Sequence, residues 1–167
     1  QQEPLGLGHA VWCARDLVGD EPFAVLLVDE LVLSKQSCMS QVVDLYNERG
    51  GCIFALAEIP NEQTNKYGIV DPAADDGKVI DIRGMVEKPA PVDAPSNLCI
   101  IGRYVLQPEV FRYLERMEHG VGGEIQLTDS LAKLIDDDIS FHGLRFEGRR
   151  FDCGSKVGFL QANIAFG

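Results

Sequence analysis

The chain has 167 residues, of which 46% are hydrophobic, and a formal net charge of −11 at pH 7. This length and composition predict one domain, residues 1–167, with a sizeable core, and they exclude an intrinsically disordered chain. The acidic balance argues against nucleic acid and anionic membranes as partners, because binding to either without sequence preference needs clustered lysine and arginine.

The first third of the sequence alternates between helical and strand patterns. Apolar residues have helical spacing in residues 8–18 and 40–49, whereas residues 22–28 and 52–59 are continuous apolar runs that are typical of buried strands. Asp29 and Glu30 terminate the first of these runs. Helices that alternate with buried strands predict an α/β layer architecture.

The rest of the sequence is richer in strand patterns. Strands are predicted at residues 67–70, 79–87, 98–106 and 139–146, and helices at residues 108–117, 125–135 and 155–166. Because β-rich segments follow one another in the middle of the chain, the sheet is predicted to be mixed rather than purely parallel. The expected fold class is α/β, with a Rossmann-like mixed sheet flanked by helices.

Two acidic residues stand at predicted strand ends. Asp29 follows an apolar strand, at the edge where open α/β sheets place ligand crevices, and Asp152 ends a short strand-like run before a glycine turn and a helix. If the two carboxylates converge, they form with phosphate oxygens and water an oxygen-only site suited to Mg²⁺. The alternative is that Asp29 caps a loop and Asp152 is an N-cap residue of the final helix.

A second candidate is the acid–base pair in Val86-Glu87-Lys88-Pro89. A carboxylate accepts hydrogen bonds from sugar hydroxyls and a neighbouring ammonium attracts a phosphate, so this pair can bind a sugar phosphate. The alternative is an exposed strand end that enters a turn.

A third candidate is the glycine pair Gly6 and Gly8, which precedes the first predicted helix. Glycines at this position let a ligand approach the backbone at a helix N-terminus. The alternative is a tight turn before the helix, since the spacing matches neither the dinucleotide fingerprint nor a P-loop.

The five cysteines are widely spaced and contain no C-x-x-C pair, which favours reduced thiols over a disulfide framework or a zinc site. No segment is apolar for long enough to span a bilayer and no positively charged leader begins the sequence, so we expect a cytoplasmic location. The sequence begins at Gln1 without a methionine and ends directly behind a helical segment, from which we expect a truncated form of a longer protein.

Taken in order, motifs along essentially the whole chain resemble those of bacterial UTP:glucose-1-phosphate uridylyltransferases, also called UDP-glucose pyrophosphorylases. The motifs are Gln1 with G-L-G-H-A-V from Gly6, the strand that ends at Asp29, Y-G-I-V from Tyr67, V-E-K-P from Val86, P-S-N-L from Pro95, I-G-R-Y-V-L from Ile101, G-E-I-Q-L-T-D from Gly123 and D-C-G-S-K-V-G-F from Asp152. The strings E-I-Q-L-T-D, G-L-G-H-A and D-C-G-x-K-x-G together separate this family from its thymidylyltransferase relatives.

The resemblance implies a fold of the nucleotide-diphospho-sugar transferase type and a reaction in which UTP and glucose 1-phosphate give UDP-glucose and pyrophosphate. The sugar phosphate attacks the α-phosphorus of UTP in line, with Mg²⁺ as the cofactor. Asp29 and Asp152 would hold the metal ion and, with Lys88, form the catalytic set. Glu87 would accept hydrogen bonds from glucose hydroxyls beside the Gly68 backbone, and Lys88 would contact the sugar phosphate.

Four further substrate-binding residues are implied by the resemblance alone. Gln1 and Gly6 would face the uracil ring, Asn97 would support the sugar pocket, and Lys156 is a further candidate to face a phosphate.

The sequence also departs from the family. The N-terminal strand with the glycine-rich loop that wraps the triphosphate is absent, as is the segment that helps to build the family's dimer. We therefore expect the chain alone to be weakly active or inactive, and we expect a homo-oligomer because truncation exposes a strand edge and an apolar helix face. Two alternatives stay open: a non-catalytic nucleotide-sugar-binding module, and a related thymidylyltransferase.

Overall fold

A computed structural model describes all of residues 1–167. Its α-helices are α1 (Leu7–Trp12), α2 (Arg15–Val18), α3 (Cys38–Arg49), α4 (Val110–Leu114), α5 (Leu127–Leu134) and α6 (Lys156–Phe166). Its strands are β1 (Phe23–Leu26), β2 (Glu30–Leu33), β3 (Cys52–Glu58), β4 (Gly68–Asp75), β5 (Val79–Glu87), β6 (Leu98–Leu106), β7 (Phe141–Arg145) and β8 (Arg149–Asp152). Short 3₁₀ segments are Asn61–Lys66, Val121–Gly123 and Ile135–Asp137. None of the helices combines the length and the apolar character needed to cross a membrane.

Six strands form one sheet in the order β1-β6-β3-β7-β5-β4. Strands β3 and β7 run parallel, whereas the other neighbouring pairs are antiparallel. The predicted mixed α/β sheet is therefore confirmed. Strands β2 and β8 form a separate two-stranded antiparallel sheet, whose register places Glu30 opposite Asp152.

Helices cover both faces of the large sheet. Strand β3 contributes Phe54 and Leu56 to one core cluster and Ile53 and Ala55 to the other, because successive side chains of a strand point to opposite faces. Helices α4 and α5 pack into the first cluster and helix α3 into the second. Burial on both faces explains the continuous apolar run of β3, which the sequence predicted correctly.

Local capping fixes the boundaries of α3. The Ser37 side chain accepts a hydrogen bond from the Ser40 amide at 3.1 Å and is the N-cap. Gly50 ends the helix with a φ of 68°, a conformation that glycine adopts without a steric penalty. The helix therefore ends at Arg49, where the helical spacing predicted over residues 40–49 also ends.

A strand does lie within predicted residues 22–28, but the prediction that it is buried is wrong. Strand β1 covers only Phe23–Leu26 and lies at the edge of the sheet, where β6 is its single neighbour. As a result, Leu26 is 51% exposed and Val28 is 94% exposed. The chain then enters β2 at Glu30, which the sequence placed at a strand end rather than a strand start.

The single helix predicted over residues 8–18 is also interrupted. Ala14 has φ −90° and ψ −5°, in the bridge region between helical and extended backbone, and it separates α1 from α2. All five cysteine thiols are free in the structure. Burial raises the pKa of the Cys52 thiol to about 12, so this side chain behaves as an uncharged core residue.

Candidate functional site

A cavity of about 770 Å³ opens where the β1–β2 connection, the paired ends of β4 and β5, the start of α5 and the β8–α6 connection meet. It is lined by five of the site residues that the sequence selected: Asp29, Gly68, Glu87, Lys88 and Asp152. These residues come from four separate segments of the sequence, and the fold brings them to one place.

Backbone pairing brings the carboxylates of Asp29 and Asp152 together. Asp152 pairs with Glu30 across the small sheet, and the Cys153 amide donates to the Asp29 carbonyl at 2.7 Å. A Cβ atom on Gly154 would lie 3.1 Å from Asp152 Oδ1 and 3.3 Å from Asp29 Oδ2. Because glycine has no side chain, the space between the two carboxylates stays open.

This open space fits a divalent cation that prefers oxygen ligands. No group of three or more His, Cys, Asp and Glu side chains suited to a metal ion converges in the structure, so phosphate and water oxygens would complete the coordination. The alternative role of Asp152 is wrong, because the N-cap of α6 is Ser155, whose hydroxyl accepts from the Gly158 amide at 3.0 Å. Asp152 Oδ1 instead accepts from the Gly154 amide at 3.0 Å.

The paired ends of β4 and β5 form a second part of the cavity. Gly68 is the register partner of Glu87, whose side chain is only 10% exposed. A Cβ atom on Gly68 would lie 2.9 Å from Thr128 Oγ1 and 3.2 Å from Glu87 Oε2, so a larger residue there would crowd both groups. Lys88 Nζ lies 3.4 Å from Glu87 Oε1. The pair is therefore half enclosed by the cavity and is not the exposed strand end considered above.

Lys88 has an unusual backbone. Its φ is 47°, in the left-handed region that non-glycine residues seldom adopt, and its amide donates to the Tyr67 carbonyl at 3.0 Å. Such conformations persist where surrounding contacts hold them, and they concentrate at functional sites.

Three residues that were not predicted from the sequence, Glu30, Tyr67 and Arg150, form a network that lines the cavity beside Asp152. Arg150 donates to Glu30 Oε2 from Nε at 2.8 Å and to Glu30 Oε1 from a terminal nitrogen at 2.5 Å. The Tyr67 hydroxyl donates to Asp152 Oδ2 at 2.7 Å, and the Arg150 guanidinium lies 4.8 Å from the centre of the Tyr67 ring. One signal was available, because residues two apart on a strand share a face, which places Arg150 beside Asp152.

The start of α5 also contributes to the lining. Glu124, Gln126 and Thr128 lie in the cavity wall. The sequence analysis quoted them only as part of a motif and gave them no role, because their spacing alone shows no chemical pattern.

Burial and the contacts among these side chains shift the pKa values of the network. Burial raises the pKa of Glu30, and the bonds from Arg150 oppose this shift. Burial alone would lower the pKa of Arg150, but the interaction with Glu30 outweighs it and raises the pKa. Burial, followed by the hydrogen bond to Asp152, raises the pKa of Tyr67, so the phenol keeps its proton and acts as a donor at neutral pH.

The other four predicted site residues do not line the cavity. The Gln1 side chain donates to the Gly6 carbonyl at 3.1 Å, next to Leu7, which does line the cavity. Asn97 is exposed before β6, and Lys156 is exposed at the first position of α6. Their roles in substrate binding stay predictions.

Gly6 has a structural reason to be glycine. With φ 114° and ψ 172°, its backbone is in a region that is essentially restricted to glycine, and a Cβ atom would lie 2.7 Å from the Ile125 carbonyl oxygen. Hydrogen bonds of 2.8 Å on either side, from Ile125 N to Leu5 O and from Gly8 N to Ile125 O, hold this close approach. The N-terminal segment is thus fixed against the wall that precedes α5.

We expect Gly6→Ala to lower the free energy of unfolding more than Gly19→Ala, by about 1–3 kcal/mol, because only Gly6 adds a steric overlap to backbone strain. Gly19 is the matched control, since its φ of 66° is also positive but nothing lies within 4 Å of its Cβ position. Urea denaturation of both variants measures the difference. Equal losses would contradict the packing role given to Gly6.

Comparison with known proteins finds relatives that match nearly the whole chain. A family model described as "Nucleotidyl transferase" matches residues 1–166. Over 152 residues the chain is 55% identical to a UTP–glucose-1-phosphate uridylyltransferase of Komagataeibacter xylinus, covering 91% of this chain and 53% of that protein. It is 48% identical over 166 residues to the enzyme of that name in Bacillus subtilis, covering 99% of this chain and 56% of that protein.

A solved structure gives the same result. A UDP-glucose pyrophosphorylase in complex with UDP-glucose superposes with a TM-score of 0.94 at 39% identity, covering 99% of this chain and 63% of that chain. The matches confirm the resemblance predicted from the sequence. The chain spans about half the length of the curated relatives described above.

Proposed function

This chain belongs to the nucleotidyl transferase family, and from that premise we propose that it carries the sugar- and metal-binding part of a UTP:glucose-1-phosphate uridylyltransferase. That enzyme joins UTP and glucose 1-phosphate to form UDP-glucose and pyrophosphate. The observation that carries the proposal is the presence of two functional pairs in one cavity: Asp29 with Asp152, and Glu87 with Lys88.

Glu87 is proposed to bind the sugar. Its carboxylate is mostly buried and faces the Gly68 backbone, where it can accept hydrogen bonds from glucose hydroxyls. Thr128 Oγ1 lies on the same side of Gly68 and offers both a donor and an acceptor. Charge-assisted hydrogen bonds of this kind fix the orientation of the sugar.

Lys88 and the two aspartates are proposed to act on the phosphates. The reaction brings two polyanions together, so positioning and charge neutralisation lower its barrier. The Lys88 side chain is 35% exposed and lines the cavity, so its ammonium is available to a phosphate that enters. Mg²⁺ held by Asp29 and Asp152 would supply further positive charge to the phosphate oxygens.

Ligand binding is the most direct test of the proposal, because this chain spans only 53–56% of the length of the relatives that have the proposed activity in their names. We expect calorimetric titration to show binding of UDP-glucose in Mg²⁺ that is stronger than binding of TDP-glucose. Preference for TDP-glucose would favour the thymidylyltransferase alternative. Binding of neither ligand would contradict the proposal for this chain.

A second assay separates an enzyme from a binding module. Pyrophosphate release from UTP and glucose 1-phosphate would show turnover, which we expect to be weak or absent in this chain. The same assay can be made on a fusion in which a full-length relative supplies the rest of the polypeptide. If that fusion binds UDP-glucose but releases no pyrophosphate, the result would favour a non-catalytic module.

We also propose that the chain forms a homo-oligomer in the cytoplasm. Helix α6 supports self-association, because it exposes several large apolar side chains: Val157, Phe159, Leu160, Ile164 and Phe166. Five free cysteines suit a reducing compartment. A single monomeric species in light scattering across a wide concentration range would contradict the oligomer.

A further inference from the structure

Tyr67 contacts both functional pairs of the cavity. Its hydroxyl donates to Asp152 Oδ2 at 2.7 Å, and its backbone carbonyl accepts from the Lys88 amide at 3.0 Å. Tyr67 itself is half-buried and lines the cavity, immediately before the Gly68 backbone. One residue therefore connects the carboxylate pair with the sugar-phosphate pair.

The hydroxyl of Tyr67 is the closest donor to Asp152 Oδ2. Arg150 lies 3.9 Å from the same oxygen, and its guanidinium is already committed to the two oxygens of Glu30. The other oxygen of Asp152, Oδ1, accepts from the Gly154 amide. The two bonds together fix the plane of the carboxylate and direct it toward the space beside Asp29.

The carbonyl of Tyr67 acts on the other pair. Lys88 has a left-handed backbone with φ 47°, which costs free energy in a non-glycine residue. The hydrogen bond from the Lys88 amide to the Tyr67 carbonyl is a contact that holds this conformation. The ring of Tyr67 is kept in place by the Arg150 guanidinium, 4.8 Å from its centre.

We propose that Tyr67 is a positioning residue, which orients Asp152 toward a bound divalent cation through its hydroxyl and supports Lys88 through its carbonyl. This inference rests on the proposed function, because it takes Asp152 as a metal ligand. Tyr67 needs no contact with the reacting atoms in this role. The hydroxyl is the part that a substitution can remove without disturbing the backbone.

The test is to measure the binding of Mn²⁺ to the 167-residue chain by electron paramagnetic resonance, in the absence of nucleotide. We expect Tyr67→Phe to bind Mn²⁺ about tenfold more weakly than the wild type, because partners that orient metal ligands typically contribute that much to affinity. Tyr46→Phe, in α3 and packed against the second core cluster, is the matched control and should bind as the wild type does. Equal Mn²⁺ affinity in Tyr67→Phe and Tyr46→Phe would overturn the inference.

A mutant cycle separates positioning from a general structural effect. If Tyr67 acts through Asp152, adding Tyr67→Phe to Asp152→Asn should weaken Mn²⁺ binding no further. If Tyr67→Phe weakens Mn²⁺ binding by the same factor in the Asp152→Asn background, the inference is overturned. A large fall in the melting temperature of Tyr67→Phe that Tyr46→Phe does not share would also overturn it.

Titration with UDP-glucose distinguishes this inference from the function on which it rests. A wild-type chain that binds no UDP-glucose contradicts the proposed function. Suppose that Mg²⁺ tightens the binding of UDP-glucose to the wild-type chain, and to the same extent in Tyr67→Phe. This outcome would contradict the positioning role of Tyr67 but not the proposed function. We expect Tyr67→Phe to lose most of that dependence while keeping its affinity in the absence of metal within about twofold.

Discussion

Replacing Glu87 by alanine is expected to weaken UDP-glucose binding at least a hundredfold. The Glu87 side chain is only 10% exposed, and its carboxylate lies beside the Gly68 backbone at the sugar position proposed above. Two hydrogen bonds from sugar hydroxyls to a charged acceptor contribute about 1.5–3 kcal/mol each, and about 1.4 kcal/mol is a factor of ten in affinity. Loss of the carboxylate therefore removes enough binding free energy for titration calorimetry to detect clearly.

Three comparisons make the Glu87→Ala result specific. UDP without a sugar should bind to Glu87→Ala as it does to the wild type, because the lost hydrogen bonds involve glucose. Glu87→Gln keeps the shape and one acceptor, and it should lose less affinity than Glu87→Ala. Glu62→Ala removes an exposed glutamate of the 3₁₀ segment that does not line the cavity, and it should change nothing. Equal weakening of UDP and UDP-glucose would contradict the sugar role of Glu87.

Part of the site was predictable because its residues carry local signals. Glu87 and Lys88 are adjacent, and the proline that follows them marks a strand end. Asp29 follows an apolar run, and this position predicted that it lies at the carboxyl end of a strand. That prediction did not require the strand to be buried, and β1 is in fact a short strand at the side of the sheet. In each case a few neighbouring residues contain the information, and no knowledge of pairing is needed.

The rest of the site depends on contacts between distant segments. Glu30 meets Arg150 only because β2 pairs with β8 in one register, and each of these strands has four residues. A shift of that register by one residue would turn Arg150 to the other face. A four-residue pattern specifies neither the partner strand nor the register, so the network with Tyr67 and Asp152 could not be derived locally. The same limit applies to β1, where an apolar run does not reveal how many neighbours the strand has.

Loss of Glu30 is expected to have the largest effect on stability. Glu30 is 5% exposed and the Arg150 side chain is 16% exposed, and two hydrogen bonds join them. Glu30→Ala leaves the half-buried guanidinium without its two closest acceptors, which costs up to about 3–5 kcal/mol. The side chains of Arg150 and Tyr67 would then lose their shared support beside Asp152, so metal binding should weaken along with stability.

An exposed pair of the same chemistry is the control for Glu30→Ala. Arg145 binds Asp75 through two hydrogen bonds of 2.6 and 2.8 Å, but this pair is more exposed, with 26% of the Arg145 side chain and 39% of the Asp75 side chain accessible. Asp75→Ala should therefore lower the free energy of unfolding in urea much less than Glu30→Ala does, because the remaining Arg145 keeps its hydrogen bond of 3.2 Å to Glu58 and its contact with water. The double variant Glu30→Leu with Arg150→Met removes both charges and should recover most of the loss, since well-packed apolar residues can replace a buried ion pair at little cost. Losses of equal size in Glu30→Ala and Asp75→Ala would show that burial of the Glu30–Arg150 pair does not control the stability of the small sheet that carries Asp152.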